Sequence, residues 1–359
     1  MHQNRVNKVL QLMAEQNLTQ MLVSDPCAIF YLTGTWIHPG ERLLALYLTQ
    51  SGKHKLFVNE LFPFADAVQC DKVWLNDNMD GIGVLADYIE KDKPVAVDKN
   101  WPSRFLIGLM DRHAGSAFVN GSEIIDRVRM VKDAKELEIM REASKLCDIG
   151  CQKMIDLVKE NYDEETMGKK LGEIWESLGA SGHSFDPIVA YGPNGADPHH
   201  TTERGVHKKP GDSVVIDIGC VYNSYCSDMT RTVFYKSASA EQKKVYEIVR
   251  DANLKAIDKV KPGVTFAELD AAARDYITEK GYGKYFTHRL GHSIGLEDHE
   301  VGDVSAVNTD VVVPGRVFSI EPGVYLPGNF GVRVEDLVIA TEDGCEVLNH
   351  VSKDLTIVE

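Results

Sequence analysis

Residues Val214–Thr232, VVIDIGCVYNSYCSDMTRT, set one aspartate inside an apolar strand, turn through Tyr222-Asn223-Ser224, and return to a second aspartate at position 228. Asp217 lies between Ile216 and Ile218, where an unpaired charge costs several kcal/mol. A hairpin brings Asp217 and Asp228 together. Two carboxylates side by side in an apolar setting repel each other unless a proton or a metal lies between them. A metal answers that requirement.

The same pattern returns about a hundred residues later. KPGDSVVIDIGCVY and VPGRVFSIEPGVY align, with Pro210-Gly211 preceding Asp217 by the step at which Pro314-Gly315 precedes Glu321. Upstream, Leu178-Gly179 matches Lys280-Gly281 at nearly the same offset. Each unit reads as two helices followed by a hairpin, an internal repeat. Duplication of a bland fold would give matching strands without needing an acid at the same buried point twice, so the repeat argues for a site between its halves.

Around this repeat the chain is ordinary. Its 359 residues suit two domains, and 43% hydrophobic with 26% charged residues is globular composition. The net charge of −15 disfavours nucleic acid and offers no basic patch for a membrane surface. Seven scattered cysteines without a CxxC pair point to free thiols in a reducing compartment. The start, MHQNRVNKVLQLMAEQ, lacks a signal-type apolar core, and no apolar run reaches about 18 residues, so the expected location is cytoplasmic.

The expected class is α/β (α+β) in two domains, 1–125 and 126–359. In the first, Val6, Val9, Leu10 and Met13 keep helical spacing, Leu18–Val23 reads as a strand and Asp25-Pro26 as a turn. Thr33–Arg42 is a polar loop, Leu43–Leu48 and Lys55–Val58 are paired strands, and Asp80–Tyr88 and Trp101–Arg112 are helices around the strand Val95–Val97. A long amphipathic helix within residues 132–158 opens the second domain.

Five side chains make the candidate metal set: Asp217 and Asp228 from the first hairpin, Glu321 from VFSIEPG, Glu335 from GVRVEDLVIA, and His292 between the repeats. Four carboxylates and an imidazole carry too much negative charge for one ion and suit two divalent ions about 3.5–4 Å apart. The oxygen-rich set favours Mn²⁺, while Co²⁺, Fe²⁺ or Zn²⁺ fit through the histidine. Such a pair activates water and polarises a carbonyl, the chemistry of peptide hydrolysis. By strand alternation Asp228 shares a face with Thr230 and Glu335 with Arg333. Thr230 can hold a ligand carboxylate, and Arg333 can pair with one or meet a substrate carboxylate. The loop histidines His199 and His200, and His299 seven residues after His292, are candidates for moving protons or polarising the carbonyl.

These motifs (DIG…SDMTRT, HRLGHSIGLEDHE, SIEPGVY and VRVED) resemble those of the dinuclear metallopeptidases that include prolidase, aminopeptidase P and methionine aminopeptidase, with their pita-bread catalytic fold. The resemblance spans essentially the whole chain and is most specific from His199 to Ile339. It implies Asp217, Asp228, His292, Glu321 and Glu335 as the five ligands, and Glu321 as proton shuttle. It implies His200, by its spacing to the first aspartate, and His299 as the histidines that stabilise the tetrahedral intermediate. Residues 1–125 look like the domain shared by prolidases, aminopeptidases P and creatinase. Methionine aminopeptidases lack it, and creatinase lacks the metal ligands that are all present here.

The implied reaction is hydrolysis of the bond before proline, in Xaa-Pro dipeptides first and in longer peptides as the alternative; an inactive binding relative is the third reading. The Thr33–Arg42 loop, with His38, Glu41 and Arg42, resembles one that bacterial prolidases place over a neighbouring subunit's site, so His38, Arg42 and Arg333 are the expected substrate contacts and a homodimer the expected assembly. HEVGD (residues 299–303) departs from the family's HExP pattern, and Gly302-Asp303 lacks the basic residue that some prolidases carry nearby.

Overall fold

The computed structural model describes Met1–Glu359, which divide into two compact units, Met1–Arg129 and Met130–Glu359. The first is a six-stranded mixed sheet in the order Asp71–Leu75, Lys55–Asn59, Ala45–Thr49, Gln20–Val23, Pro94–Val97, Ala117–Asn120. Gln20–Val23 runs antiparallel to Ala45–Thr49 and parallel to Pro94–Val97. Leu22, Tyr47, Phe57, Leu85 and Val95 form its core, as alternation in these short strands requires. The Asp25-Pro26 turn expected from sequence is instead a helix start. Asp25 accepts a bond from the Ala28 N–H, Pro26 fills the first helical position where a missing N–H costs nothing, and Pro26–Thr33 is helical. A further helix, Ser122–Met130, continues beyond residue 125.

The second unit builds the repeat as its sequence indicates. Helices Ala134–Leu157 and Glu164–Leu178 precede the antiparallel pair Ser213–Ile218 and Met229–Tyr235; helices Ala240–Lys259 and Phe266–Glu279 precede the pair Val317–Ile320 and Asp336–Ala340. Asp133 with Glu136, Ser239 with Gln242, and Thr265 with Glu268 close capping boxes at three of the four helix starts. The two Pro-Gly turns recur with the same handedness, Gly211 at φ +94° and Gly315 at φ +85°, conformations that favour glycine.

Each helix pair covers one face of its own sheet. Cys147, Met154 and Trp175 pack against Val214, Ile216 and Ile218. Val249, Phe266 and Ala273 pack with Phe318, Ile320 and Val338. Strand alternation therefore turns Asp217 and Ser319 to the opposite faces, away from the helices, and there the two halves meet. The Glu335 N–H donates to the Thr230 carbonyl at 3.1 Å across that junction. None of the seven cysteines is joined in a disulfide. No helix is long and apolar enough to cross a membrane.

Candidate metal centre

Five elements deliver the five expected side chains to one place. Asp217 stands opposite Thr230 in the first hairpin, and Asp228 immediately precedes the return strand. Gly219 lies between them because a Cβ there would sit 2.1 Å from the Ser227 carbonyl. Glu321 ends the strand Val317–Ile320, its N–H bonded to the Leu290 carbonyl, and Glu335 precedes Asp336–Ala340. His292 lies in Gly291–Ser293, with Nε2 3.5 Å from both Asp228 and Glu321. Its Nδ1 donates to the Ser293 carbonyl at 3.2 Å, which places the proton there and leaves Nε2 with a lone pair for a cation.

The cluster is buried and short of positive charge. Asp217 Oδ1, Asp228 Oδ1 and Glu335 Oε1 are enclosed without a hydrogen-bond partner, which buried carboxylate oxygens rarely tolerate. Ligating atoms of Asp228, His292 and Glu335 lie within 4.8 Å of one another. Burial, then repulsion from Asp217, pushes the Asp228 carboxyl well above the carboxylate range. Burial, then Asp228 and Glu321, does the same to Glu335, and burial raises Glu321 to about 7. Hard oxygen donors, one imidazole nitrogen and three orphaned oxygens fit a divalent cation and suit no hydrogen-bond donor on the chain.

Neighbouring side chains fix these carboxylates. The Thr230 hydroxyl donates to Glu335 Oε2 at 2.7 Å, the support expected from strand alternation. Arg333 donates from Nη2 to Asp217 Oδ2 at 2.5 Å, from Nε to the Thr230 hydroxyl at 3.0 Å and from Nη1 to the Tyr325 hydroxyl at 2.8 Å. Of the two roles open to Arg333 in the sequence, pairing with a ligand carboxylate is the one its geometry adopts. All three nitrogens make hydrogen bonds inside the protein, while the side chain still lines the cavity that opens over the cluster. Tyr325 reaches on to His288, whose Nδ1 is held by the Arg289 carbonyl and whose pKa burial drives down to about 3.

A cavity of about 920 Å³ opens over the cluster, lined by Asp217, Asp228, His292, Glu321 and Glu335, with His199, His200 and His299 at its walls. His299 stacks on His292 with ring centroids 3.8 Å apart. Arg289 Nη2 donates to His299 Nδ1 at 2.9 Å, so the His299 proton sits on Nε2; burial, then the neighbouring His292 imidazole, holds its pKa down to about 4. The adjacent histidines, both in the cavity wall, differ in their surroundings. His200 is buried with Nε2 2.7 Å from Glu164 Oε2 and 3.3 Å from Asn194, while His199 keeps an exposed ring.

His38 and Arg42 belong to the N-terminal unit. There Arg42 is bidentate to Asp77 at 2.9 and 2.8 Å, and His38 stacks on Trp36. Sequence reasoning missed Glu164 and Tyr325. Glu164, fully buried, accepts from the N–H groups of Tyr191 and Glu203 as well as meeting His200, and so pins the whole loop. In sequence it reads as a solvated acid of a helix first turn. Tyr325 has Tyr222 as its repeat counterpart, which hides its separate task.

Comparison with known proteins agrees with this geometry. Residues 138–342 match the model of metallopeptidase family M24, and residues 5–131 match that of the creatinase/prolidase N-terminal domain. An uncharacterised peptidase of Staphylococcus haemolyticus is 33% identical, covering 98% of this chain and 100% of its own. The crystal structure of a recombinant prolidase from Thermococcus sibiricus superposes with a TM-score of 0.95 at 32% identity over 100% of this chain and 99% of that one. An Xaa-Pro dipeptidase from Bacillus anthracis gives a TM-score of 0.90 at 28% identity over the full length of both.

Proposed function

Because this chain belongs to metallopeptidase family M24 and carries a creatinase/prolidase N-terminal domain joined to a pita-bread catalytic domain, we propose that it hydrolyses the peptide bond before proline in Xaa-Pro dipeptides, with two divalent ions, Mn²⁺ foremost, as cofactor. The observation that carries this reading is the trio of orphaned oxygens on Asp217, Asp228 and Glu335 beside the His292 Nε2 lone pair. With Glu321 these would hold the ions. Bound ions of this kind supply Lewis acidity toward a carbonyl oxygen and lower the pKa of water.

The chain's own groups do the rest. Glu321, whose carboxyl burial raises to about 7 in the metal-free protein, stands in the cavity wall where it takes a proton from the attacking water and returns it to the leaving nitrogen. The His299 Nε2–H and the exposed His199 ring donate toward the carbonyl oxygen as it gains charge. Arg333 and Thr230 keep Asp217 and Glu335 in place. Proline nitrogen offers no donor in the peptide bond, so its ring must be recognised by apolar contact; Phe185, Pro187 and Ile188 line the cavity for that purpose.

The test is metal content followed by release of proline from Ala-Pro and of alanine from Ala-Pro-Ala. The expected result is bound metal and faster cleavage of the dipeptide. Faster cleavage of the tripeptide replaces this reading with an Xaa-Pro aminopeptidase, and absence of both metal and hydrolysis replaces it with a binding protein. The two loop histidines separate in the same assay. His199→Ala is expected to lower kcat about 10²-fold with Tm unchanged. His200→Ala lowers Tm, because Glu164 then keeps a buried charge with one partner fewer.

A further inference from the structure

We infer that Arg289 is the anchor for the free carboxylate of the substrate, an assignment that rests on the dipeptidase reading above. A dipeptide places its carboxylate one residue beyond the scissile carbonyl, within about 3.5 Å of chain. The anchoring cation must therefore stand close to the carboxylate–histidine cluster and be held still. Three fixed-charge cations line the cavity: Lys169, Arg289 and Arg333. Arg333 is buried, with four of its five N–H donors given to Asp217, Thr230, Tyr325 and the Pro198 carbonyl. Lys169 is 68% exposed and pairs with Glu165 on the same helix, an arrangement that leaves its head mobile in solvent.

Arg289 is different. Its Nη1 is 2.5 Å from Asp303 Oδ1, and its Nη2 donates to His299, whose ring lies 3.8 Å from that of His292. The guanidinium is therefore one stacked ring away from the proposed ligand His292. Two of its five N–H donors are used, and three are left. The backbone explains the placement: Gly291–Ser293 pairs with Glu300–Val304, His292 opposite Asp303, which sets Asp303 beside Arg289 while Arg289 lines the cavity. Asp303, about half exposed, orients the fork through a single oxygen and leaves an edge for a second carboxylate. A substrate extended past proline has no charge to put there.

The assignment is tested by comparing Ala-Pro with Ala-Pro-amide, which differ only in that charge, on the metal-loaded protein and on Arg289→Met and Arg289→Lys. The expected result is a wild-type preference for the acid and, in Arg289→Met, a KM for Ala-Pro raised about 10–100-fold, so that the acid-to-amide ratio of kcat/KM approaches one. Arg289→Lys is expected to restore part of the preference, since it keeps the charge and loses the fork. Loss of rate on acid and amide alike would show that Arg289 serves only to hold His299, and would overturn the inference. A wild-type enzyme that prefers the acid while Arg289→Met keeps that preference overturns the inference and leaves the dipeptidase reading standing. A wild-type enzyme indifferent to the carboxylate overturns both.

Discussion

Asp228→Asn is expected to give a protein that is folded and inactive, poor in metal, and in its metal-free form more heat-stable than its parent. Asp228 is 4% exposed, one of its oxygens has no donor, and burial with repulsion from Asp217 opposes its charge. An amide of the same shape removes that repulsion, and relief of about 1 kcal/mol corresponds to about 2–4 °C for a unit the size of Met130–Glu359. The same change removes a proposed ligand. Divalent ions contribute several kcal/mol of transition-state stabilisation, so kcat/KM is expected to fall about 10³-fold or more. Asp217→Asn should also lose metal and activity, with the opposite effect on stability. It strips Arg333 of its charged partner inside the protein, a cost of up to about 3–5 kcal/mol. Metal content, kcat/KM and the Tm of chelated protein check both variants. Full activity of Asp228→Asn would sink the site assignment, and equal Tm shifts in the two would sink the account of Arg333.

Chelation is expected to destabilise the protein by an amount that grows with pH. In an unfolded chain these carboxyls titrate near 4. In the folded metal-free protein Glu321 titrates near 7, raised from 4.5, and Asp228 and Glu335 are raised as well. Across that window the folded state keeps protons that the unfolded chain has released. Its stability is therefore fully present below about 4 and declines as pH rises through Glu321's value of about 7. Metal binding runs the other way, because ligands must be deprotonated, so affinity rises over the same window. At an ion concentration a hundred times Kd, each site adds about 2.7 kcal/mol, or about 5–11 °C. Thermal melts with Mn²⁺ and with chelator at pH 5, 6, 7 and 8 should show a widening gap. A gap independent of pH would refute the buried-carboxylate explanation.

How much of this was legible in the sequence depends on the distance over which each signal acts. Acids inside apolar strands behind matching Pro-Gly turns are local facts, and they single out Asp217 and Glu321, around which the rest of the candidate set is built. Capping boxes are local too. Asp25-Pro26 was misread because the dipeptide suits a turn and a helix start equally; what decides is the apolar run Cys27–Leu32 that follows. Which of His199 and His200 is buried depends on Glu164, 36 residues away, a contact that spacing does not report. Arg333 could be placed on a strand face, but its partner Asp217 is 116 residues distant, and no periodicity reports such a pairing.

The two halves brace each other crosswise: Thr230 of the first holds Glu335 of the second, and Arg333 of the second holds Asp217 of the first. During synthesis the first hairpin therefore leaves the ribosome with its acids unmatched, and 107 more residues separate Asp228 from Glu335. At about 5–20 residues per second that interval lasts roughly 5–20 s. Loading with metal is thus a post-translational event by construction. A nascent chain carrying only the first half presents Asp217 and Asp228 without His292, Glu321 and Glu335, an incomplete ligand set.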